Sequence, residues 1–130
     1  MDEYPESLFP LKGLTDAIIN AAISVHRELG PGFLEVIYEN ALVIELESRG
    51  HCVGRQIELE VLYRGKLVGK HRLDVLVDNQ VVVELKSVEA LARQHQAQLR
   101  STLKAAGKKV GLLLNFNQAK LADGIRRVIA

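Results

Sequence analysis

Three charged side chains lie among apolar residues in the middle of the chain: Asp74, Glu84 and Lys86. Burying charges among Val and Leu is costly unless the charges pair or hold a metal. Asn79-Gln80 separates two apolar runs and predicts a tight hairpin turn. Pairing across this turn brings Asp74 near Glu84. Glu84 and Lys86, two residues apart on one strand, then share a face at a spacing of roughly 7 Å.

This arrangement could perform hydrolysis. Two converging carboxylates form an oxygen-ligand site for a hard cation such as Mg²⁺ or Mn²⁺. The ammonium group of Lys86 could orient a metal-bound water, or help to deprotonate it, beside a scissile phosphate. The alternative is a structural ion pair of Lys86 with Glu84 or Asp74. The spacing of the three residues does not by itself separate these two interpretations.

Helical patterns precede this segment. Thr15 or Asp16 is positioned to cap a first helix that runs to Leu29, and Gly30-Pro31-Gly32 then ends it. A second helix is predicted from about residue 35 to residue 49, with Ile37, Ala41, Leu42 and Leu46 directed inward and Gly50 at its end.

The pattern changes to period two between His51 and Val88, and predicts a three-stranded antiparallel meander with a turn at Arg64-Gly65-Lys66. A helix is expected from about residue 89 to residue 106, where Gly107 ends it. A buried strand over residues 109–115 follows. The apolar residues Leu121, Ile125, Val128 and Ile129 then predict a closing helix.

Composition limits the class of protein. With 130 residues, 48% of them hydrophobic and 25% charged, the chain is expected to form one globular domain over residues 1–130, with residues 1–13 as an irregular lead-in. A net charge of +1 gives no general attraction for nucleic acid, so such contacts require local clusters. A single cysteine excludes a disulfide framework. No signal peptide or membrane span is recognisable, which predicts a cytoplasmic protein.

The order of elements and the motif residues together resemble a known family. Asp74 followed by Glu84-Leu85-Lys86, within a helix, three strands, a helix and a strand, resembles the PD-(D/E)XK nuclease superfamily. The resemblance implies an α/β (α+β) fold of the restriction-endonuclease type, with an α-β-β-β-α-β core and a mixed sheet flanked by helices. More narrowly, residues 32–38 (GFLEVIY) resemble the signature of bacterial GxxExxY proteins, a branch of that superfamily. The similarity extends over roughly residues 14–117.

Roles for individual residues follow from the resemblance. In the superfamily, the acids that match Asp74 and Glu84 hold one or two divalent metals, here Mg²⁺ or Mn²⁺, and the lysine that matches Lys86 acts on the water or the phosphate. The helix glutamate that matches Glu35 often points at the same metal site. Glu35 is therefore a third candidate metal ligand.

The helix after the third strand carries Gln-x-x-x-Tyr in many members. This chain keeps the glutamine as Gln98, but Thr102 replaces the tyrosine. On the same helix, basic residues form a stripe that could contact nucleic acid. The candidate contacts are Arg93, Arg100 and Lys104, together with Tyr38 from the second helix.

Two functions are compatible with these features. The first is a Mg²⁺-dependent nuclease that hydrolyses DNA, or RNA, with Asp74, Glu84, Lys86, Glu35 and Gln98 as its catalytic residues. The second is a catalytically silent domain with the nuclease fold, which binds an unidentified protein partner or serves in an assembly. A homodimer is compatible with either function, since a core of this size covers little nucleic acid. No sequence feature identifies its interface.

Overall fold

The structure is a computed structural model, and it describes residues 9–130. The elements in chain order are α1 (Lys12–Leu29), α2 (Glu35–Ser48), β1 (Val53–Tyr63), β2 (Lys66–Val77), β3 (Val81–Lys86), α3 (Arg93–Ala106), β4 (Val110–Asn115), a short 3₁₀ helix (Leu121–Gly124) and β5 (Ile125–Ile129). This order confirms the predicted α+β fold with its α-β-β-β-α-β core.

The five strands form one mixed sheet in the order β1-β2-β3-β4-β5. Among the strands of residues 9–130, only β3 and β4 run parallel, because α3 carries the chain back between them; the other neighbours are antiparallel. β4 is buried along its whole length, as its run of apolar residues predicts. The β1–β2 hairpin is longer than the other strands and is exposed at its end, over residues 60–70.

Helices cover both faces of the sheet. The predicted apolar stripe of α1, which includes Ile18, Ala22 and Val25, is buried in a cluster with α2 and one face of β3 and β4. On the other face, Leu99 and Leu103 of α3 form a second cluster. The sheet is therefore the middle layer between α1 and α2 on one side and α3 on the other.

The predicted closing helix is wrong. Residues 125–129 form strand β5, which pairs antiparallel with β4 from Val110↔Ile129 to Leu114↔Ile125. A short apolar segment is compatible with either a helix or a strand. Here the buried strand β4 would otherwise leave the backbone groups of one edge without hydrogen bonds, and β5 supplies their partners.

Several boundaries also differ from the predictions. α1 begins at Lys12, within the expected lead-in, of which residues 1–8 lie outside the described residues. α3 begins at Arg93, four residues later than predicted. The hairpin turn after β2 is centred on Asp78 and Asn79, both with positive φ, rather than on Asn79-Gln80. Gly107 ends α3 in a left-handed conformation, as predicted.

Candidate active site

The two candidate acids lie where the sheet loses its regular pairing. The antiparallel register of β2 and β3 runs from Val77↔Val81 to Val75↔Val83. The next positions along the two strands are Asp74 and Glu84, and they fall outside that register. Asp74 Oδ2 instead accepts a hydrogen bond of 3.1 Å from the backbone N–H of Leu85. A carboxylate therefore takes the place of a backbone acceptor at this position.

Asp74 also lies at a break between β2 and β1. The register of these strands goes from Arg55↔Val75 to Ile57↔Leu73 and omits the intervening residues, Gln56 and Asp74. Gln56 has φ +49°, which is uncommon for a residue with a Cβ. Leu73 packs in the α3 cluster, whereas Val75 packs in the α1–α2 cluster. Residues two apart on a regular strand point to the same face of the sheet. Leu73 and Val75 point to opposite faces, so the alternation of side chains along β2 is interrupted at Asp74.

Burial and repulsion act together on Glu84. Desolvation is the largest effect, the adjacent Asp74 carboxylate adds to it, and together they raise the pKa of Glu84 to about 8. The positive charge of Lys86 acts in the opposite direction and is the weaker influence. At neutral pH the side chain therefore holds a proton. Within residues 9–130, the buried Oε1 atom of Glu84 has no hydrogen-bond partner.

The structural ion pair considered for Lys86 is not formed. In the described part of the chain, Lys86 makes no salt bridge of 4.0 Å or less to Glu84, Asp74 or any other carboxylate. Lys86 is half-buried on the same strand as Glu84, two residues farther on. Its backbone carbonyl accepts a hydrogen bond of 2.9 Å from Phe116 N, which fixes the strand end that carries the lysine.

The acid pair fits a hard divalent cation. The two carboxylates form an oxygen donor set, in which the buried Glu84 Oε1 has no hydrogen-bond partner among residues 9–130. Mg²⁺ commonly takes one or two protein carboxylates and completes its shell with water and substrate oxygens. A cation between the two acids would also offset the repulsion from Asp74, which adds to the effect of desolvation on the pKa of Glu84. Nitrogen or sulfur ligands are not part of this pair, and its oxygen donors are the type that hard divalent cations prefer.

Glu35 lies nearby but does not join this pair. No group of three or more His, Cys, Asp or Glu side chains among residues 9–130 is arranged to hold a metal. Glu35 begins α2, its side chain is exposed, and it lines a cavity of about 260 Å³ together with Ser87. The structure therefore places Glu35 at the edge of the candidate site, next to the chain that follows Lys86, rather than as a third ligand.

Two contacts that the sequence did not predict hold this edge together. Ser87 Oγ donates a hydrogen bond of 2.8 Å to the carbonyl of Phe33, which joins the loop before α2 to the end of β3. The buried Asn115 at the end of β4 accepts from the N–H of Val88 and donates to its carbonyl, at 3.1 and 2.9 Å. A buried asparagine at the end of an otherwise apolar strand is the signal that could have indicated such a contact.

Glu39 organises the break in β1. Its buried carboxylate accepts hydrogen bonds from the side chains of Arg55 and Gln56, at 2.9 and 2.8 Å for the shortest contact of each. These bonds hold the left-handed Gln56, the residue opposite Asp74 in the interrupted register. Glu39 is therefore a positioning residue for the strand beside the acid.

Tyr38 is not available to nucleic acid. It is fully buried and stacks on Phe116 with ring centroids 4.6 Å apart. Its hydroxyl donates to the carbonyl of Gly30 at 2.6 Å and accepts from the N–H of Phe33 at 3.1 Å. The expected contact with nucleic acid is thus wrong, because the side chain instead closes the loop between α1 and α2.

On α3, Gln98 is exposed and Thr102 is buried. The Thr102 hydroxyl donates to the carbonyl of Gln98 and lies 2.7 Å from Nε2 of His71 on β2. The residue that replaces the expected tyrosine therefore joins α3 to the sheet. Arg93 and Lys104 are exposed, and Arg100 is half-buried. Lys104 lines a cavity of about 690 Å³ between α3 and the β1–β2 hairpin.

Comparison with known proteins identifies the family of the chain. The model of the PD-(D/E)XK nuclease superfamily matches residues 12–128. The chain belongs to this superfamily. PD-(D/E)XK nucleases generally use divalent metals and act on nucleic acids, so this membership suggests a nuclease. No curated protein and no solved structure shows a significant match to the chain. None of the helices in residues 9–130 of this PD-(D/E)XK domain is long and apolar enough to cross a membrane.

Proposed function

We propose that this protein is a metal-dependent nuclease that hydrolyses phosphodiester bonds in DNA, with RNA as the alternative substrate. The observation that carries the proposal is the Asp74–Glu84 pair. Glu84 is half-buried beside Asp74, its pKa is raised to about 8, and its buried oxygen Oε1 has no hydrogen-bond partner in residues 9–130. A fold gains no stability from such a pair, so its presence favours a site that binds a cation.

Each candidate site residue has its own proposed role. Asp74 and Glu84 would hold Mg²⁺ or Mn²⁺, which supplies Lewis-acid polarisation of the phosphate and an acidic bound water. Lys86 carries an ammonium group that no carboxylate within residues 9–130 neutralises, so it can orient the attacking water or stabilise charge on the phosphate. Glu35 and Gln98 are exposed and are proposed to support the substrate or water around this centre.

Basic residues supply the contacts to the phosphate backbone. Arg93, Arg100 and Lys104 lie on α3, and Lys104 shares the larger cavity with Lys70 of the hairpin. Because the net charge is only +1, these local clusters must provide the attraction for nucleic acid. We also propose that the GFLEVIY segment assigns the chain to the GxxExxY branch.

Cleavage of labelled DNA and RNA in Mg²⁺ or Mn²⁺ tests the proposal. Lys86→Ala should reduce the rate at least about a hundredfold, because one general acid–base or electrostatic group is lost. Lys109→Ala is the matched control. It also removes one lysine, here an exposed one, from the opposite end of the central strands, roughly 20 Å along β4 from the level of Lys86.

The outcomes separate the two functions considered for this chain. Metal-dependent cleavage that is lost in Lys86→Ala and retained in Lys109→Ala supports the nuclease. Absence of cleavage on every substrate, together with a melting temperature that Mn²⁺ does not change in the wild-type protein, would favour the silent binding domain. Glu84→Gln should remove any stabilisation by Mn²⁺, whereas Glu47→Gln, an exposed carboxylate at the far end of α2, should not.

A further inference from the structure

Next to the candidate metal site, apolar side chains are exposed at the start of α2. Phe33 is 45% exposed and Leu34 is 73% exposed. Ile37, which was expected to face the core, is 38% exposed. Phe33 and Leu34 line the cavity of about 260 Å³ together with Gly32, Glu35, Ser87 and Asn117. An exposed apolar patch of this kind indicates a binding surface.

The backbone of Phe33 is fixed on both sides. Its carbonyl accepts the hydrogen bond from Ser87 Oγ, and its N–H donates to the hydroxyl of Tyr38. The Phe33 ring lies edge-on to the Tyr38 ring, with centroids 6.1 Å apart, and Tyr38 stacks on the buried Phe116. A row of three aromatic rings thus runs from the core to the surface. An aromatic group held in this way loses little entropy when it binds a ligand.

The polar lining of the cavity favours a base over a phosphate. Glu35 brings a carboxylate, which would repel a phosphate group and can accept hydrogen bonds from the amino groups of bases. Asn117 contributes an amide that forms no side-chain hydrogen bond to residues 9–130. Carboxylate and amide side chains are among those that bond to base edges in nucleic-acid complexes.

We propose that this cavity binds an unpaired nucleobase of the substrate, which contacts the face of Phe33 and the side chain of Leu34. The inference rests on the proposed nuclease function and specifies its substrate class: single-stranded or branched nucleic acid. Bases inside a regular duplex are stacked and do not expose their faces, whereas unpaired bases stack on aromatic side chains. Ser87 lines the cavity and directly follows Lys86 in the chain, so the bound base lies next to the strand end that carries the candidate catalytic lysine.

The test compares binding and cleavage of a single-stranded oligonucleotide and of a fully paired duplex of the same sequence. Binding is measured with Ca²⁺ and cleavage with Mn²⁺. Loss of one base–aromatic contact weakens binding by roughly tenfold. Phe33→Ala should therefore lower the preference for the single strand over the duplex by about tenfold. Phe33→Trp should restore it, and Leu34→Ala should lower it to a smaller extent.

Tyr63→Ala is the matched control, since Tyr63 is an aromatic residue that is 61% exposed at the end of the β1–β2 hairpin. It should leave the preference unchanged. Circular dichroism checks that each variant is folded. Leu34→Ala keeps the test decisive if Phe33→Ala does not fold, because most of the Leu34 side chain faces solvent.

Three results would overturn the proposal. If the wild-type protein cleaves nucleic acid and Phe33→Ala and Leu34→Ala keep its preference, only the base-binding cavity is refuted. If light scattering shows a wild-type dimer that Leu34→Ala converts to a monomer, a second copy of the chain covers the patch instead. If the wild-type protein neither binds nor cleaves any substrate, the nuclease function fails as well.

Discussion

Replacing Glu84 by Gln should stabilise the metal-free protein, and the gain should increase with pH. The folded state raises the pKa of Glu84 from 4.5 to about 8, mainly by desolvation. The folded protein therefore holds a proton that the unfolded chain releases above pH 4.5. The stability that this group confers is lost as the pH rises from 4.5 towards 8. Above that range, the contribution of Glu84 to the free energy of unfolding no longer changes with pH. Gln has no carboxyl group that titrates, so the free energy of unfolding of the variant does not fall in this way.

The size of the effect follows from the two pKa values. Each unit of difference corresponds to about 1.4 kcal/mol. Between pH 6 and pH 9, the stability of the wild-type protein should fall by about 3 kcal/mol relative to Glu84→Gln. The acids with lowered pKa values, Asp16 and Asp78, titrate below this range and are the same in both proteins, so they cancel in the comparison.

Urea unfolding followed by circular dichroism at pH 6, 7.5 and 9, with EDTA present, measures this difference. Glu47→Gln serves as the control, because it makes the same substitution at an exposed carboxylate at the far end of α2. A stability difference between Glu84→Gln and the wild-type protein that stays constant from pH 6 to pH 9 would refute the raised pKa. It would also weaken the case for a cation site at the acid pair.

Three further predictions concern the site and its supports. Binding of Mn²⁺ at pH 7 should release ~0.9 proton from Glu84, since the metal needs the ionised form. Calorimetry in buffers of different ionisation enthalpy measures the number of protons released, and release of no protons would contradict the prediction. Tyr38→Phe should cost about 1–2 kcal/mol, because the Gly30 carbonyl and the Phe33 N–H lose their buried partner; an unchanged urea midpoint would show that these bonds add nothing. Gly32→Val should cost about 1–3 kcal/mol, because Gly32 has φ +109°; a melting temperature equal to that of the wild-type protein would exclude backbone strain there.

Much of the fold can be predicted from the sequence because most of its helices and strands have a clear apolar periodicity. The stripes of α1 and α3, the meander and the buried strand β4 all have strong patterns, and the structure confirms them. Residues 121–129 have a short pattern that suits a helix or a strand, and only the unpaired edge of β4 decides between them. Tertiary context of this kind is not visible in a single sequence.

The candidate site could be predicted only in part. The hairpin brings Asp74 and Glu84 together, as the turn between the two apolar runs predicts. The break in both registers at Asp74 could not be predicted, because it depends on Glu39 holding Gln56 in a left-handed conformation. The burial of Tyr38 was also missed, since an amphipathic side chain gives no indication of which way its hydroxyl turns.

The side chains of β2 change faces at Asp74, so this residue lies at the junction between the cores on the two faces of the sheet. Leu73 belongs to the layer of α3, and Val75 belongs to the layer of α1 and α2. A substitution that repacks either core is therefore expected to act on the position of Asp74, the residue at which β2 passes from one core to the other.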